Sequence, residues 1–254
     1  MRGSLSRFTS AAVVNLAAAV ILLFSACGGP GERIKEIEAQ KATPSPTPGE
    51  RPLGGSFLIT GSAANEVDPY TGSLSVAPKG DNYEFRWATT KGTRVGTGVQ
   101  FGSTTAVSYS ATGGGKGCGV VVYKIASDGS LDGRIARWGS DKFTEEKATR
   151  TDGNGFVGKY AVNTKGEDGK DYSGKLSINK DGSGFDFEWN QDEKGNTNAK
   201  IVGFGIWKGN VAAASFGGRQ CGFALYDISS NGSLEGDWGG QAAVTFGKET
   251  AKRQ

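Results

Sequence analysis

Three cysteines and a set of recurring carboxylates are the residues of this 254-residue chain whose types invite chemistry, and histidine is absent altogether. Without histidine the commonest general base and the commonest metal ligand are both missing. Carboxylate pairs can still do acid–base work, and Glu146 with Glu249, like Asp132 with Glu235, stand at matching places in two similar halves of the chain. Their recurrence is read as turn and edge geometry inherited through duplication, so the chain is expected to be non-enzymatic, with no catalytic residue. The loops Asp152-Gly-Asn-Gly155 and Glu167-Asp-Gly-Lys-Asp171 carry oxygen ligands, but neither follows a full calcium template. They are read as turns, and no metal or cofactor is expected.

The first cysteine closes a leader. Arg2 and Arg7 precede an apolar run from Ala11 to Phe24, and small residues follow in Ser25-Ala26-Cys27. This is the layout of a secretory signal peptide over 1–26. The run is broken by Asn15 and falls short of the ~20 residues a spanning helix needs. Leu23-Phe-Ser-Ala-Cys27 resembles a bacterial lipobox, with Phe24 where Leu, Val or Ile is usual, so Cys27 is the expected lipidation site. Lipid chains at ~0.8 kcal/mol per buried CH₂ would anchor the chain as a palmitate-bearing lipoprotein. Gly28 and Gly29 follow Cys27 in place of Asp, which points to the outer membrane or cell surface. Residues 27–51 hold four of the seven prolines and balanced charge, and are read as a disordered tether.

The other two cysteines open the two copies of one stretch. Cys118-Gly-Val-Val-Val-Tyr123-Lys-Ile-Ala-Ser-Asp-Gly129-Ser-Leu131 returns as Cys221-Gly-Phe-Ala-Leu-Tyr226-Asp-Ile-Ser-Ser-Asn-Gly232-Ser-Leu234, at an offset of 103 residues. Asp128-Gly129 and Asn231-Gly232 suit two-residue hairpin turns. The preceding strand is apolar at both parities, so both of its faces need cover, and the other copy is the obvious cover for the second. Lys124 and Asp227 share the parity of the cysteines, which puts the Cys face outside the barrel and at the contact between copies. If Cys27 is lipidated, an even pair remains in an exported protein. Two outcomes stay open for Cys118 and Cys221: a disulfide between equivalent positions, or two buried thiols.

A second motif, Tyr83-Glu-Phe85-Arg-Trp87, is matched by Phe185-Asp-Phe187-Glu-Trp189. Strict alternation makes each a strand with aromatics inward and charges in water. Eight strands are expected in the first copy, near Phe57, Leu74, Phe85, Val99, Val107, Val121, Ile135 and Lys147, with the same set in the second. The fold class is therefore all-β: two tandem antiparallel meanders, 52–150 and 151–254, each closing into an up-and-down barrel. Two open sheets sharing one sandwich are the alternative.

The pattern Tyr-x-Gly-x-Leu, then aromatic-x-aromatic-x-Trp, Gly-Val-x-aromatic-Gly, Gly-Val-Val-Val-Tyr-x-Ile and Asp-Gly-x-Leu-x-Gly resembles a set of exported bacterial repeat proteins, many labelled fibronectin-binding proteins. The resemblance covers nearly all of 55–253, and its motifs are structural. It implies a β-repeat fold and an extracellular protein ligand such as fibronectin, with no contact residue placed in this chain. The meander is also similar in outline to avidin and lipocalin barrels.

Neither copy carries a basic excess, so nucleic acid is not an expected partner. Two functions follow. One is a membrane-anchored surface lipoprotein that binds a macromolecule through its exterior; the other is a small-molecule binder using a calycin-like barrel interior. Filled cores favour the first, and an open cavity with polar groups favours the second.

Overall fold

The computed structural model describes residues 50–254, apart from 64–67, 111–115, 194–195 and 242–244 and the side chains of 191–199. The expected signal peptide, Cys27 and nearly all of the tether lie outside the described residues. Strands β1 (Gly55–Ser62), β2 (Tyr70–Lys79), β3 (Asn82–Thr89), β4 (Gly92–Phe101), β5 (Thr104–Ser110), β6 (Gly119–Ile125), β7 (Leu131–Arg137) and β8 (Thr144–Asn154) fall in the first copy, β8 running just past its end. Strands β9 (Val157–Lys165), β10 (Asp171–Asp181), β11 (Gly184–Glu193), β12 (Asn196–Lys208), β13 (Val211–Phe216), β14 (Cys221–Ile228), β15 (Leu234–Gly240) and β16 (Gly247–Arg253) fall in the second. Every strand expected in the first copy is present, and among the described residues no helix is long and apolar enough to cross a membrane.

All pairings are antiparallel, and the strands close into two eight-stranded barrels. Barrel one runs β1-β16-β15-β14-β5-β4-β3-β2, and barrel two runs β10-β11-β12-β13-β6-β7-β8-β9. The copies have therefore exchanged strands. Barrel one takes five strands from the first copy and three from the second, and barrel two takes the complement. The physical reason lies in the duplication. Tyr226 of β14 faces Thr105 of β5, just as Tyr123 of β6 faces Ala212 of β13. Since β6 and β14 present equivalent edges, β5 can accept either, and the chain uses the distant one.

The exchange requires two crossings between barrels, after β5 and after β13, and they touch. A Cβ on Gly217 would lie 1.9 Å from the Gly117 carbonyl oxygen, and Gly217 has φ +109°, so only glycine fits this contact. Beside it Cys118 and Cys221 form a disulfide, with S–S 2.05 Å and Cα–Cα 5.7 Å, which ties barrel two to barrel one.

The strands at the crossings are buried on both faces. One face of β5, β6, β13 and β14 points into a barrel, and the other packs on the neighbouring barrel. The shared core gathers residues and their counterparts from the other copy into one cluster: Val99 and Ile206, Ala106 and Ala213, Val120 and Phe223, Val122 and Leu225. Val120 and Phe223 are fully buried there, while Lys124 and Asp227 at the strand ends reach water.

Two local readings need correcting. The Asp128-Gly129 and Asn231-Gly232 turns are longer than two residues. Ala126 N–H donates to the Ser130 carbonyl and Gly129 N–H to the Ala126 carbonyl, a three-residue loop with Gly129 at φ 81°. Asp128 Oδ1 accepts from Ser130 N–H at 2.8 Å within this loop. The last two residues of the expected tether are also fixed to the barrels. Glu50 pairs with Arg134 at 2.5 Å, and the Arg51 carbonyl accepts from Gln100 Nε2 at 2.8 Å.

Candidate functional site

Among the described residues, each barrel encloses one buried carboxyl group. On β16 inward positions alternate as Gly247, Glu249 and Ala251, and on β8 as Thr144, Glu146 and Ala148, so parity carries a glutamate into each core. Glu249 is 4% exposed and Glu146 1%. The expectation that these recurrent glutamates mark turns or edges is overturned. Asp132 and Glu235 lie in water, each within a strand that is paired on both sides. The signal was present in the sequence, since Glu249-x-Ala251 and Glu146-x-Ala148 share one parity with apolar neighbours.

In barrel one, Glu249 is a hub for three donors from three strands. Tyr226 OH donates to Oε1 at 2.6 Å, Trp87 Nε1 to Oε1 at 3.1 Å and Tyr70 OH to Oε2 at 2.6 Å. Burial first, and then the Glu249 charge, push the Tyr226 and Tyr70 phenols well above their ordinary value, so both remain donors. Barrel two repeats the arrangement. Tyr123 OH donates to Glu146 Oε1, Trp189 Nε1 to the same oxygen at 3.1 Å, and Thr164 Oγ1 to Oε2 at 2.7 Å. Tyr226 shares the second copy with Glu249 while Trp87 comes from the first, and Tyr123 shares the first copy with Glu146 while Trp189 comes from the second.

The third donor differs through a paired exchange of residues. Gly61 faces Tyr70 across β1 and β2, where barrel two has Thr164 facing Tyr172. A Cβ on Gly61 would lie 2.2 Å from Tyr70 Cζ, so glycine lets the Tyr70 ring lie inward and reach Glu249. Thr164 supplies its own hydroxyl, and Tyr172 turns out to bond Asp168 at 3.0 Å.

Beyond the hub the barrels diverge. Barrel one opens into a cavity of about 270 Å³, walled by Tyr70, Trp87, Tyr109, Tyr226 and Trp238 with Glu249 at its base. Arg94 and Lys91 line it as well. The matching space in barrel two is about 10 Å³. Where Trp87 faces Arg94, Trp189 faces Ile201, which packs onto the core. Ala224 and Gly240 of barrel one correspond to Val121 and Arg137 of barrel two. Phe216 stands in place of Tyr109 and packs edge-on against Trp189 at 5.9 Å, and the Arg137 guanidinium lies 5.0 Å above it across the barrel end.

In barrel one the mouth holds Arg94, half-buried, its guanidinium 5.4 Å from the Tyr109 ring centre and 5.9 Å from that of Trp238. Tyr109 OH donates to the Gly239 carbonyl at 3.3 Å. The inward aromatics Phe85, Trp87, Phe187 and Trp189 lie where alternation placed them. Sequence reasoning missed Tyr70, Arg94, Tyr109 and Trp238 as one wall; Arg94-x-Gly96-x-Gly98 on the inward parity of β4 was the available signal. Of the sequence-stated sites, Cys118 and Cys221 are joined, and Cys27 lies outside the described residues. Compared with protein-family models, with curated proteins and with solved structures, the chain matches none.

Proposed function

We propose that the chain is a non-enzymatic envelope lipoprotein, anchored by lipid on Cys27, whose barrel one binds a small organic molecule. The observation that carries this reading is the contrast between two otherwise equivalent barrels: one keeps an aromatic-walled cavity of about 270 Å³, the other about 10 Å³. A core built only for stability has no use for such a void, since an empty cavity forfeits packing. Both oxygens of Glu249 are already engaged by three donors, which suits a structural floor better than a base that must take up a proton.

A fill-in variant tests the reading. Ala224→Val with Gly240→Arg imports the barrel-two residues into barrel one. Ligands found by thermal shift against a small-molecule set are expected to stabilise the wild type and to leave the filled variant unmoved. Hits that stabilise both equally would overturn the assignment.

A second reading, recognition of an extracellular protein such as fibronectin by the exterior, draws support from β12, where Val202 is 50% and Trp207 43% exposed. Trp207→Ala would weaken capture of such a partner and leave small-molecule stabilisation intact.

A further inference from the structure

Resting on the small-molecule reading, the cavity's walls narrow the class of ligand. Its volume is nearly twice the ~150 Å³ of an apolar cavity that admits benzene, which suits a compact bicyclic body and excludes a long lipid chain. Trp87, Tyr109, Tyr226 and Trp238 offer ring faces and edges on several sides, the surroundings a flat π-system prefers.

The polar features are divided along the cavity. At the floor the Glu249 carboxyl is surrounded by donors that it already holds. At the mouth stands Arg94, whose guanidinium has five N–H donors in a planar fork. Other arginines here spend those donors on acceptors: Arg134 on Glu50 and the Gln100 carbonyl, Arg253 on the Gly54 and Pro52 carbonyls. Arg94 donates to no acceptor among the described residues and rests only on the Tyr109 and Trp238 rings. A half-buried fork lined up against the cavity wall is a preformed seat for a carboxylate. The floor carboxyl opposes an anion placed deep, which fixes the orientation: ring inward, charge at the rim.

We infer that barrel one binds a compact aromatic carboxylate, its ring held among Trp87, Tyr109 and Trp238 and its carboxylate paired with Arg94.

The test titrates the full chain with naphthoate and with its neutral isostere naphthylmethanol, followed by tryptophan fluorescence. The wild type is expected to bind naphthoate at least tenfold more tightly than the alcohol. Arg94→Ile, the residue barrel two carries at this register, and Arg94→Gln should both erase that preference while keeping affinity for the alcohol, with melting behaviour checking that each variant is folded. Equal binding of the two probes by the wild type, or a preference that survives in both variants, overturns the carboxylate assignment while leaving the cavity as a binding site. Binding of neither probe overturns the inference together with the small-molecule reading beneath it.

Discussion

Barrels one and two face the same difficulty, a carboxyl group inside an apolar tube, and they satisfy it with the same tyrosine and tryptophan but a different third donor. In barrel two the donor is Thr164, a short side chain on the strand beside the glutamate, and the space beyond is filled by Val121, Ile201 and Phe216. In barrel one the donor is Tyr70, which reaches in from the barrel end over Gly61, and the space beyond remains open. The comparison teaches that the hub belongs to the fold and the cavity does not. Duplication supplied two copies of a self-sufficient polar core, and a handful of size changes around one of them left room for a ligand.

The largest expected effect comes from removing the hub where nothing else can reach it. Glu146→Ala orphans Tyr123 and Thr164 and leaves Trp189 only the Tyr123 hydroxyl, 3.2 Å away, as acceptor; at about 1–3 kcal/mol per unsatisfied buried donor the loss should be roughly 4 kcal/mol in denaturant unfolding. Glu249→Ala should cost about half as much, because water can enter from the cavity and take the freed hydrogen bonds. Equal losses would break the distinction between a sealed and an open barrel.

The next effect concerns the tie between the barrels. The Cys118–Cys221 bridge closes a loop of sequence separation 103. Replacing both cysteines by serine should lower stability by about 3 kcal/mol, somewhat under the chain-entropy limit of about 4.7 kcal/mol for a loop of about 100 residues. The exchanged pairing is expected to persist, since the shared core of Val120, Phe223 and their neighbours does not depend on the bridge. Hydrogen exchange would check this: loss of protection along both β5 and β14 would show that the bridge, rather than packing, maintains the exchange.

A smaller effect converts one hub into the other. Gly61→Thr should expel the Tyr70 ring and offer a threonine hydroxyl to Glu249, at a cost of about 1–2 kcal/mol for repacking. Adding the change to a Tyr70→Phe background should then cost much less, because the displaced phenol no longer leaves a bond behind. Full additivity of the two changes would contradict a direct exchange of donors.

The smallest effect lies in the alkaline range. Tyr70, Tyr109, Tyr123 and Tyr226 all have phenols raised above the ordinary value of 10.0, each chiefly by burial. The folded state therefore holds these protons more tightly than the unfolded chain. Their contribution is complete below pH 10 and is lost as pH rises beyond it, while the unfolded phenols ionise and the folded ones do not. Tyrosinate absorbance should appear for these four only together with unfolding. Their titration in a chain that keeps its strand spectrum would show the hubs to be open to solvent.

Much of this architecture was legible in the sequence, and the illegible part has physical causes. Alternation in Tyr83–Trp87 and double-sided hydrophobicity in Cys118–Ile125 gave the strands, their faces and the need for a cover. The exchange was hidden because equivalent edges on β6 and β14 offer β5 the same partner, so pairing preference cannot tell a neighbour from its distant copy. Glu146 and Glu249 read as turn or edge residues because a buried carboxyl is costly unless donors meet it, and most of those donors come from strands remote in sequence. The cavity depends on Gly61, Arg94, Ala224 and Gly240, small changes on four strands that acquire meaning only when the barrel brings them to one end.

The most direct measurement of the difference between the barrels is an indole N–H correlation spectrum of the five tryptophans, assigned by single Trp→Phe variants and recorded as naphthoate is added. Shifts of Trp87 and Trp238, with Trp189 left in place, are the expected result. Equal movement of Trp189, or movement confined to the exposed Trp207, would contradict it.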